Sequence, residues 1–290
     1  MLFRIINIVF PIFLIVITGF IYGRKHQPEM TAANKMNMEV FLPALIFSAL
    51  AGKSFALAEN LPAIIGCIVI TVGSGLLGWM SARLLGYNPK TLIPPVMFNN
   101  VGNMGLPLML LTFGEKALGI AIVLMLVMTI MQFALTPWII SGRSPVSTVW
   151  REPFMIASAL GIIVSLTGIS VWQPILSACK IVGDISLGLM IFSLGVRLAS
   201  TQLNSWAIGI TGAILTPVTG LIMAWLFCQS VSLPSFTQDV LFIFGALPPA
   251  VSNFIFAERY NQEPDKVASI VIIGNVFSIL FIPLALALRL

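Results

Sequence analysis

The sequence predicts an all-α polytopic membrane protein with about ten transmembrane helices, arranged as two inverted repeats of five. Three observations predict this fold class. Of the 290 residues, 58% are hydrophobic and only 9% are charged, whereas a soluble domain carries about 25% charged residues. The chain also contains many apolar runs that reach the roughly 20 residues needed to cross a bilayer. Finally, two of these runs are interrupted at corresponding positions in the two halves of the chain.

The apolar runs divide into two sets of five. The first half contains the predicted spans Phe3–Gly23, Ala33–Ala51, Leu61–Leu84, Leu92–Phe113 and Ala117–Ile140. The second half contains Phe154–Val171, Ile175–Leu198, Trp206–Cys228, Val240–Ala257 and Lys266–Leu288. Residues 141–152 between them are polar, so we predict one repeat over residues 1–140, a linker over 141–152 and a second repeat over 153–290.

The distribution of basic residues predicts the orientation of these spans. Ten of the 15 Lys and Arg residues lie in loops or helix ends that follow odd-numbered spans. Cytoplasmic loops carry the excess of basic residues. The linker is therefore expected in the cytoplasm, and both termini on the other side of the membrane.

The fourth and ninth predicted spans carry unusual polar interruptions. Residues 99–107 read NNVGNMGLP, and residues 245–254 read GALPPAVSNF. Proline removes an amide donor and glycine adds backbone freedom, so neither stretch favours an unbroken helix. In hydrocarbon such a break persists only inside protein or beside a wet cavity. Paired breaks are typical of transporter binding sites, and the predicted substrate ligands are Asn100, Asn103, Ser252 and Asn253. Alternatively, the breaks merely kink the spans and the amides join helices.

The two halves also resemble one another in sequence. Residues 39–48 (EVFLPALIFS) align without gaps with residues 184–193 (DISLGLMIFS) at an offset of 145. The two breaks align at nearly the same offset, with Pro107 opposite Asn253 (253 − 107 = 146). Because each repeat holds an odd number of spans, the second copy must insert upside down. The predicted architecture is therefore a five-plus-five inverted repeat with crossing broken helices in spans 4 and 9.

Glu39 and Asp184 are the acidic residues that this alignment superimposes. Acidic side chains inside a membrane are costly and often functional, so both are candidates for coupling proton movement to transport. Lys35 and Lys180 precede them by four residues. The alternative is therefore that each carboxylate lies near an interface and is neutralised by this neighbour.

Several function classes are excluded by missing patterns. HExxH, GxSxG and P-loop sequences are absent, and His26 is the single histidine. Cys67, Cys179 and Cys228 are scattered, without metal-ligand or disulfide spacing. No basic run with interleaved aromatic residues suggests nucleic-acid binding. We therefore expect no enzyme activity, no cofactor, no metal and no nucleic-acid partner.

Residues 99–108 (NNVGNMGLPL) resemble the fourth-span motif of the auxin efflux carrier family, and residues 246–261 (ALPPAVSNFIFAERYN) resemble its ninth span. The resemblance covers essentially the whole chain. It implies a scaffold of spans 1, 2, 6 and 7 and a crossover domain of spans 3–5 and 8–10. It also implies that Gly105, Pro107 and Pro249 belong to the crossover beside the substrate.

Two departures from the family pattern narrow this expectation. Plant exporters carry a long cytoplasmic loop where this chain has only residues 141–152, which argues against regulation by loop phosphorylation. Asn253 stands where a plant crossover proline would align. This difference argues against an aromatic, auxin-like substrate, and a carboxylate stays the expected substrate.

The expected function is secondary active transport of a small organic anion by alternating access. The anion would be a mono- or dicarboxylate such as malate or malonate, the membrane a bacterial inner membrane, and protons a candidate coupling ion. A channel or a substrate-sensing membrane protein is the alternative. The direction of transport and the oligomeric state, with a homodimer as one option, stay open.

Overall fold

The computed structural model describes residues 2–52, 60–142, 150–200 and 203–289, and helices dominate these ranges. In the first half the α-helices are α1 Leu2–His26, α2 Thr31–Met36, α3 Leu42–Leu50, α4 Leu61–Leu85, α5 Pro89–Met97, α6 Leu106–Phe113 and α7 Glu115–Ser141. In the second half they are α8 Pro153–Thr167, α9 Gln173–Ser200, α10 Trp206–Ser230, α11 Ser235–Gly245, α12 Ser252–Arg259 and α13 Pro264–Ala287. Most of the predicted linker, residues 143–149, lies outside the described residues.

Among the described residues, six helices are long and apolar enough to cross a membrane, namely α1, α4, α7, α9, α10 and α13. The prediction of an all-helical polytopic membrane protein is thereby confirmed. The other four predicted spans correspond to shorter or interrupted helices. These are α2 with α3, α5 with α6, α8 alone, and α11 with α12.

The second predicted span contains an interruption that the sequence analysis did not anticipate. A π-helical segment, Asn37–Phe41, joins α2 to α3. Pro43 lies in the first turn of α3 and lacks the amide donor that a continuous α-helix would need. A wider π turn accommodates this defect, as such turns often do at functional sites, and Asn37 becomes buried there.

Glycines allow the closest helix approaches, as is common where apolar helices pack in a bilayer. A Cβ added to Gly195 of α9 would lie 2.1 Å from the Val16 carbonyl oxygen of α1. Between α10 and α11, a Cβ on Gly220 would lie 2.1 Å from the Gly245 carbonyl oxygen. Both interfaces therefore bring backbone against backbone.

The described helices pack in two groups. One consists of α1, α3, α8 and α9, and the other of α4, α5, α10, α11 and α13; α7 contacts members of both, and α6 contacts α7 and, in the first group, α1 and α9. At one end of the second group, Glu263 precedes α13 and accepts hydrogen bonds from Lys266 and Thr91. These two bonds lower the pKa of the Glu263 carboxyl below its usual value.

Candidate functional site

The two predicted breaks contact each other directly. They pair as a short antiparallel bridge. The backbone N–H of Asn100 donates to the Pro248 carbonyl at 2.7 Å, and that of Ala250 donates to the Phe98 carbonyl at 2.9 Å. Backbone groups left without partners by the broken helices are thus satisfied across the crossing, as a low-dielectric environment requires.

Hydrogen bonds among three polar side chains join the ninth-span break to α7. The Asn253 amide donates from Nδ2 to the Phe98 carbonyl at 3.0 Å and accepts from Gln132 Nε2 at 2.9 Å. Ser252 Oγ donates to Gln132 Oε1 at 2.8 Å. Asn253 is only 1% exposed, so both ends of its amide are used inside the protein.

The fourth-span break is held in the same way. Asn100 Nδ2 donates to Asn275 Oδ1 of α13 at 2.9 Å, and Asn275 Nδ2 donates to the Pro249 carbonyl at 3.1 Å. Asn99 Nδ2 donates to the Phe244 carbonyl at 2.8 Å. The interhelical role that sequence suggests for isolated buried amides therefore describes Gln132 and Asn275 well.

A cavity of about 1020 Å³ lies beside this crossing. Its polar lining from the crossing and α7 comprises Asn99, Asn100, Asn103, Thr129, Gln132 and Ser252. The lining also includes the basic residues Arg24, Arg197 and Arg259, and the acidic residue Glu152. The cavity therefore combines neutral amides with an excess of positive charge, an environment that suits an anion.

The predicted ligands divide into two sets. Asn100, Asn103 and Ser252 line the cavity. Within the described part of the chain, the Asn103 side chain makes no hydrogen bond, so its amide is available to a ligand. Asn100 retains one of its two Nδ2 hydrogens for a ligand, whereas Ser252 donates its only hydroxyl hydrogen to Gln132 and can otherwise only accept.

The other four predicted ligands do not line the cavity. Asn253 is buried behind it, and Pro107 lies in the first turn of α6. Gly105 faces Leu247, and the Pro249 ring packs against Gly274. Asn253, Gly105 and Pro249 thus contact protein groups at the crossing and not the cavity.

Glu39 and Asp184 also lie outside the lining of this cavity. Their side chains are 52% and 51% exposed, and each is close to the lysine four residues earlier, at 4.0 and 3.8 Å. Lys180 makes a shorter contact, 2.6 Å, with Glu115 of α7, in a second cavity of about 1110 Å³ that Asp184 also lines. The arrangement matches the alternative of neutralised carboxylates, and proton coupling by these two acids stays a prediction.

Sequence reasoning missed the polar residues that α9 and the π-helical segment bring to the cavity. Arg197 and Ser193 lie four residues apart on α9, and Asn37 lies on the π-helical segment against α9. Asn37 is 5% exposed, and its Oδ1 is buried without a partner among the described residues, as is Ser193 Oγ. The i, i+4 spacing of Ser193 and Arg197 was the one available signal, since it places both on one helix face.

Comparison with known proteins identifies the family. A family model described as membrane transport protein matches residues 4–149 and 144–286. The chain belongs to the auxin efflux carrier family. Its polytopic helical fold and the paired breaks agree with membership of this family of membrane transporters.

Relatives from distant organisms cover this chain to different extents. An uncharacterized transporter, MJ1031 of Methanocaldococcus jannaschii, is 24% identical over 96% of both chains. The uncharacterized transporter YfdV of Escherichia coli K12 is 22% identical over 87% of both. Auxin efflux carrier component 6 of Arabidopsis thaliana is 29% identical over 44% of this chain and 24% of its own length. The auxin efflux carrier family thus consists of membrane transporters rather than enzymes, and this chain is a multi-pass member.

Proposed function

We propose that the protein is a secondary active transporter of a small organic anion, a mono- or dicarboxylate such as malate or malonate. The observation that carries this proposal is the cavity at the crossing, where the unengaged Asn103 amide faces a lining that includes three arginines. Hydrogen bonds from amides and positive charges both favour a carboxylate over a neutral solute. Membership of a transporter family supports transport over catalysis.

The proposed architecture is ten spans in a five-plus-five inverted repeat, with repeats at 1–140 and 153–290. The two packing groups support a scaffold of spans 1, 2, 6 and 7 beside a crossover domain of spans 3–5 and 8–10. The first group, α1, α3, α8 and α9, consists of helices from the four scaffold spans. Alternating access would then be a movement of the crossover domain against this scaffold around the site.

The crossing contributes electrostatics as well as side chains. Two helical stretches begin there, Val101–Phe113, which starts as a π-helical segment and continues as α6, and α12, and a helix N-terminus carries a partial positive charge. Because these charges belong to the backbone, they attract a carboxylate without adding a formal charge to the membrane interior. A substrate held in this way can also be released, which a carrier requires.

The arginines of the cavity support an orientation. Arg24, Arg197 and Arg259 all line the cavity, and the positive-inside rule favours the cytoplasmic face for such basic residues. The proposal therefore has the cavity open towards the cytoplasm of a bacterial inner membrane, with both termini on the other side. Labelling of single cysteines introduced near the termini in intact cells tests this orientation.

Uptake of labelled malonate and malate into proteoliposomes tests the function. Saturable uptake driven by an imposed proton or sodium gradient supports a coupled carrier and identifies its ion. Counterflow separates a carrier from a channel, because a channel neither saturates nor exchanges. No saturable uptake or counterflow of any carboxylate in a broad panel would refute the proposed substrate class.

The variant Asn103→Ala tests the site. It is expected to abolish uptake without lowering thermal stability, because the amide has no partner in the protein to lose. Asn204→Ala is the matched control, since Asn204 is exposed and lies outside the cavity. Wild-type uptake by the Asn103 variant would remove this residue from the site.

A further inference from the structure

The α9 wall of the cavity carries its own polar groups. Met190, Ser193, Leu194 and Arg197 all line the cavity from α9. Their spacing of three, four and seven residues places them on one face of the helix. A Cβ added to Gly102 in the fourth-span break would lie 3.9 Å from Met190 Cε. This face of α9 therefore contacts the break at Met190.

The distance along this wall is short. With a rise of about 1.5 Å per residue, Ser193 lies about 4.5 Å and Arg197 about 10.5 Å along the helix axis from Met190. The long Arg197 side chain can extend over part of that interval. The hydroxyl and the guanidinium can therefore act on one group of a small ligand that also contacts the break.

Two unpartnered polar atoms lie in this wall. Ser193 Oγ and Asn37 Oδ1 are buried without a hydrogen bond among the described residues, and both residues line the cavity. A buried polar atom without a partner costs free energy, so native proteins keep few of them. Ser193 can donate its hydroxyl hydrogen to a carboxylate oxygen, which would remove this cost, whereas Asn37 Oδ1 can only accept and does not contact a carboxylate directly.

Arg197 differs from the other arginines of the cavity. It is partly buried, whereas Arg24 and Arg259 are exposed. Its guanidinium lies 5.5 Å from the ring centroid of Phe254 on α12, and Glu258 of the same helix acts on it electrostatically. Arg197 thus extends from α9 towards the helix that begins at the crossing, in a setting where charge is screened less than at the surface.

We propose that Arg197 and Ser193 form a carboxylate-binding pair on α9, which holds the second carboxylate of a dicarboxylate. The first carboxylate lies at the crossing beside Asn103. This inference rests on the proposed function and adds the specificity determinant that separates dicarboxylates from monocarboxylates. It also makes the substrate touch both α9 and the crossing, so that binding reports on their relative position.

Calorimetric titration of the purified protein tests the pair independently of transport. The probes are malonate and malonamate, which has the same size but only one carboxylate. A charge-assisted hydrogen bond predicts that Arg197→Gln weakens malonate binding about 10- to 100-fold. Malonamate binding should change less than about 3-fold, because its single carboxylate binds at the crossing.

Further variants distinguish recognition from structural support. Arg197→Lys should recover part of the affinity for malonate, since it retains the charge but not the bidentate geometry. Ser193→Ala should weaken malonate binding about 5-fold, the scale of one hydrogen bond. Arg4→Gln is the matched control, and its malonate affinity should stay within about 3-fold of wild type because Arg4 is exposed and lies outside the cavity lining.

The outcomes separate this inference from the proposed function. Equal loss of malonate and malonamate binding in Arg197→Gln, together with a lower thermal midpoint, would show a structural role and overturn the pair. So would unchanged malonate affinity in that variant, or no malonate binding by the wild type. Selective loss of malonate binding in a protein that performs no uptake would support the pair and refute the transporter.

Discussion

Replacing Asn253 by alanine is expected to weaken the crossing of the two broken segments. Asn253 is almost fully buried and joins α12 to both the other break and α7. Removing its amide leaves Gln132 Nε2 without its acceptor. The Phe98 carbonyl loses one of its two donors and keeps the hydrogen bond from the Ala250 N–H. The variant thus loses two hydrogen bonds that tie three separate segments together.

The magnitude follows from those two bonds. Hydrogen bonds between helices in a bilayer contribute about 0.6 kcal/mol each on average and up to about 1.7 kcal/mol. The Gln132 donor remains buried, so its loss belongs at the upper end of that range. The expected cost is therefore about 1 to 3 kcal/mol, which for a chain of this size lowers the thermal midpoint on the order of 5 °C.

The assay is a heating series in detergent, with the fraction of monodisperse protein read by size-exclusion chromatography. Asn103→Ala is the matched control, because it removes the same amide at a position without protein partners. Its midpoint should equal that of the wild type. If Asn253→Ala were as stable as the wild type, or if both variants lost the same stability, the structural role assigned to Asn253 would be wrong.

Three further predictions concern stability. Glu115→Gln removes an exposed ion pair, worth about 0 to 1 kcal/mol, and should barely change the midpoint; a large drop would show that the pair is important for folding. Gly220→Ala places a methyl group against backbone and should cost about 2 kcal/mol or more, whereas Gly188→Ala, with nothing within 4 Å of the added carbon, should be neutral; equal effects would contradict the packing. The lowered pKa of Glu263 stabilises the fold above about pH 4.3, the value in an unfolded chain, and this contribution disappears as the pH falls through the lowered pKa. Glu263→Gln should therefore show a smaller loss of stability on acidification, measured by midpoints across the acid range.

Composition and local pattern predicted the class and the extent of the helices. Six of the predicted spans correspond to long apolar helices, because a run of about 20 apolar residues has one low-energy solution in a bilayer. Proline and glycine likewise marked both breaks, since their effect on the backbone is local. The π-helical turn at Asn37 has no comparable local signal, apart from Pro43 six residues later.

Tertiary structure decided which polar side chains bond to other protein groups and which face the cavity. In sequence, Asn103 and Asn253 are similar amides in similar breaks. In the fold, one faces a cavity without a partner and the other is buried between Gln132 and the Phe98 carbonyl. An amide either binds a neighbour or offers itself to a ligand, and the choice depends on which groups from distant segments arrive within hydrogen-bonding distance.

The same reason explains why the sequence alone did not mark Arg197 as a cavity residue. Read along the chain, it is a basic residue at the end of a span and serves the positive-inside rule. Only the packing of α9 against the breaks brings Arg197 and Ser193 to the wall of the cavity. Asn103, which lines the same cavity, lies about 90 residues earlier in the chain. Local sequence determined the helices and their interruptions because those follow from nearby residues. The binding surface depends on contacts between segments far apart in the chain, so only the folded molecule defines it.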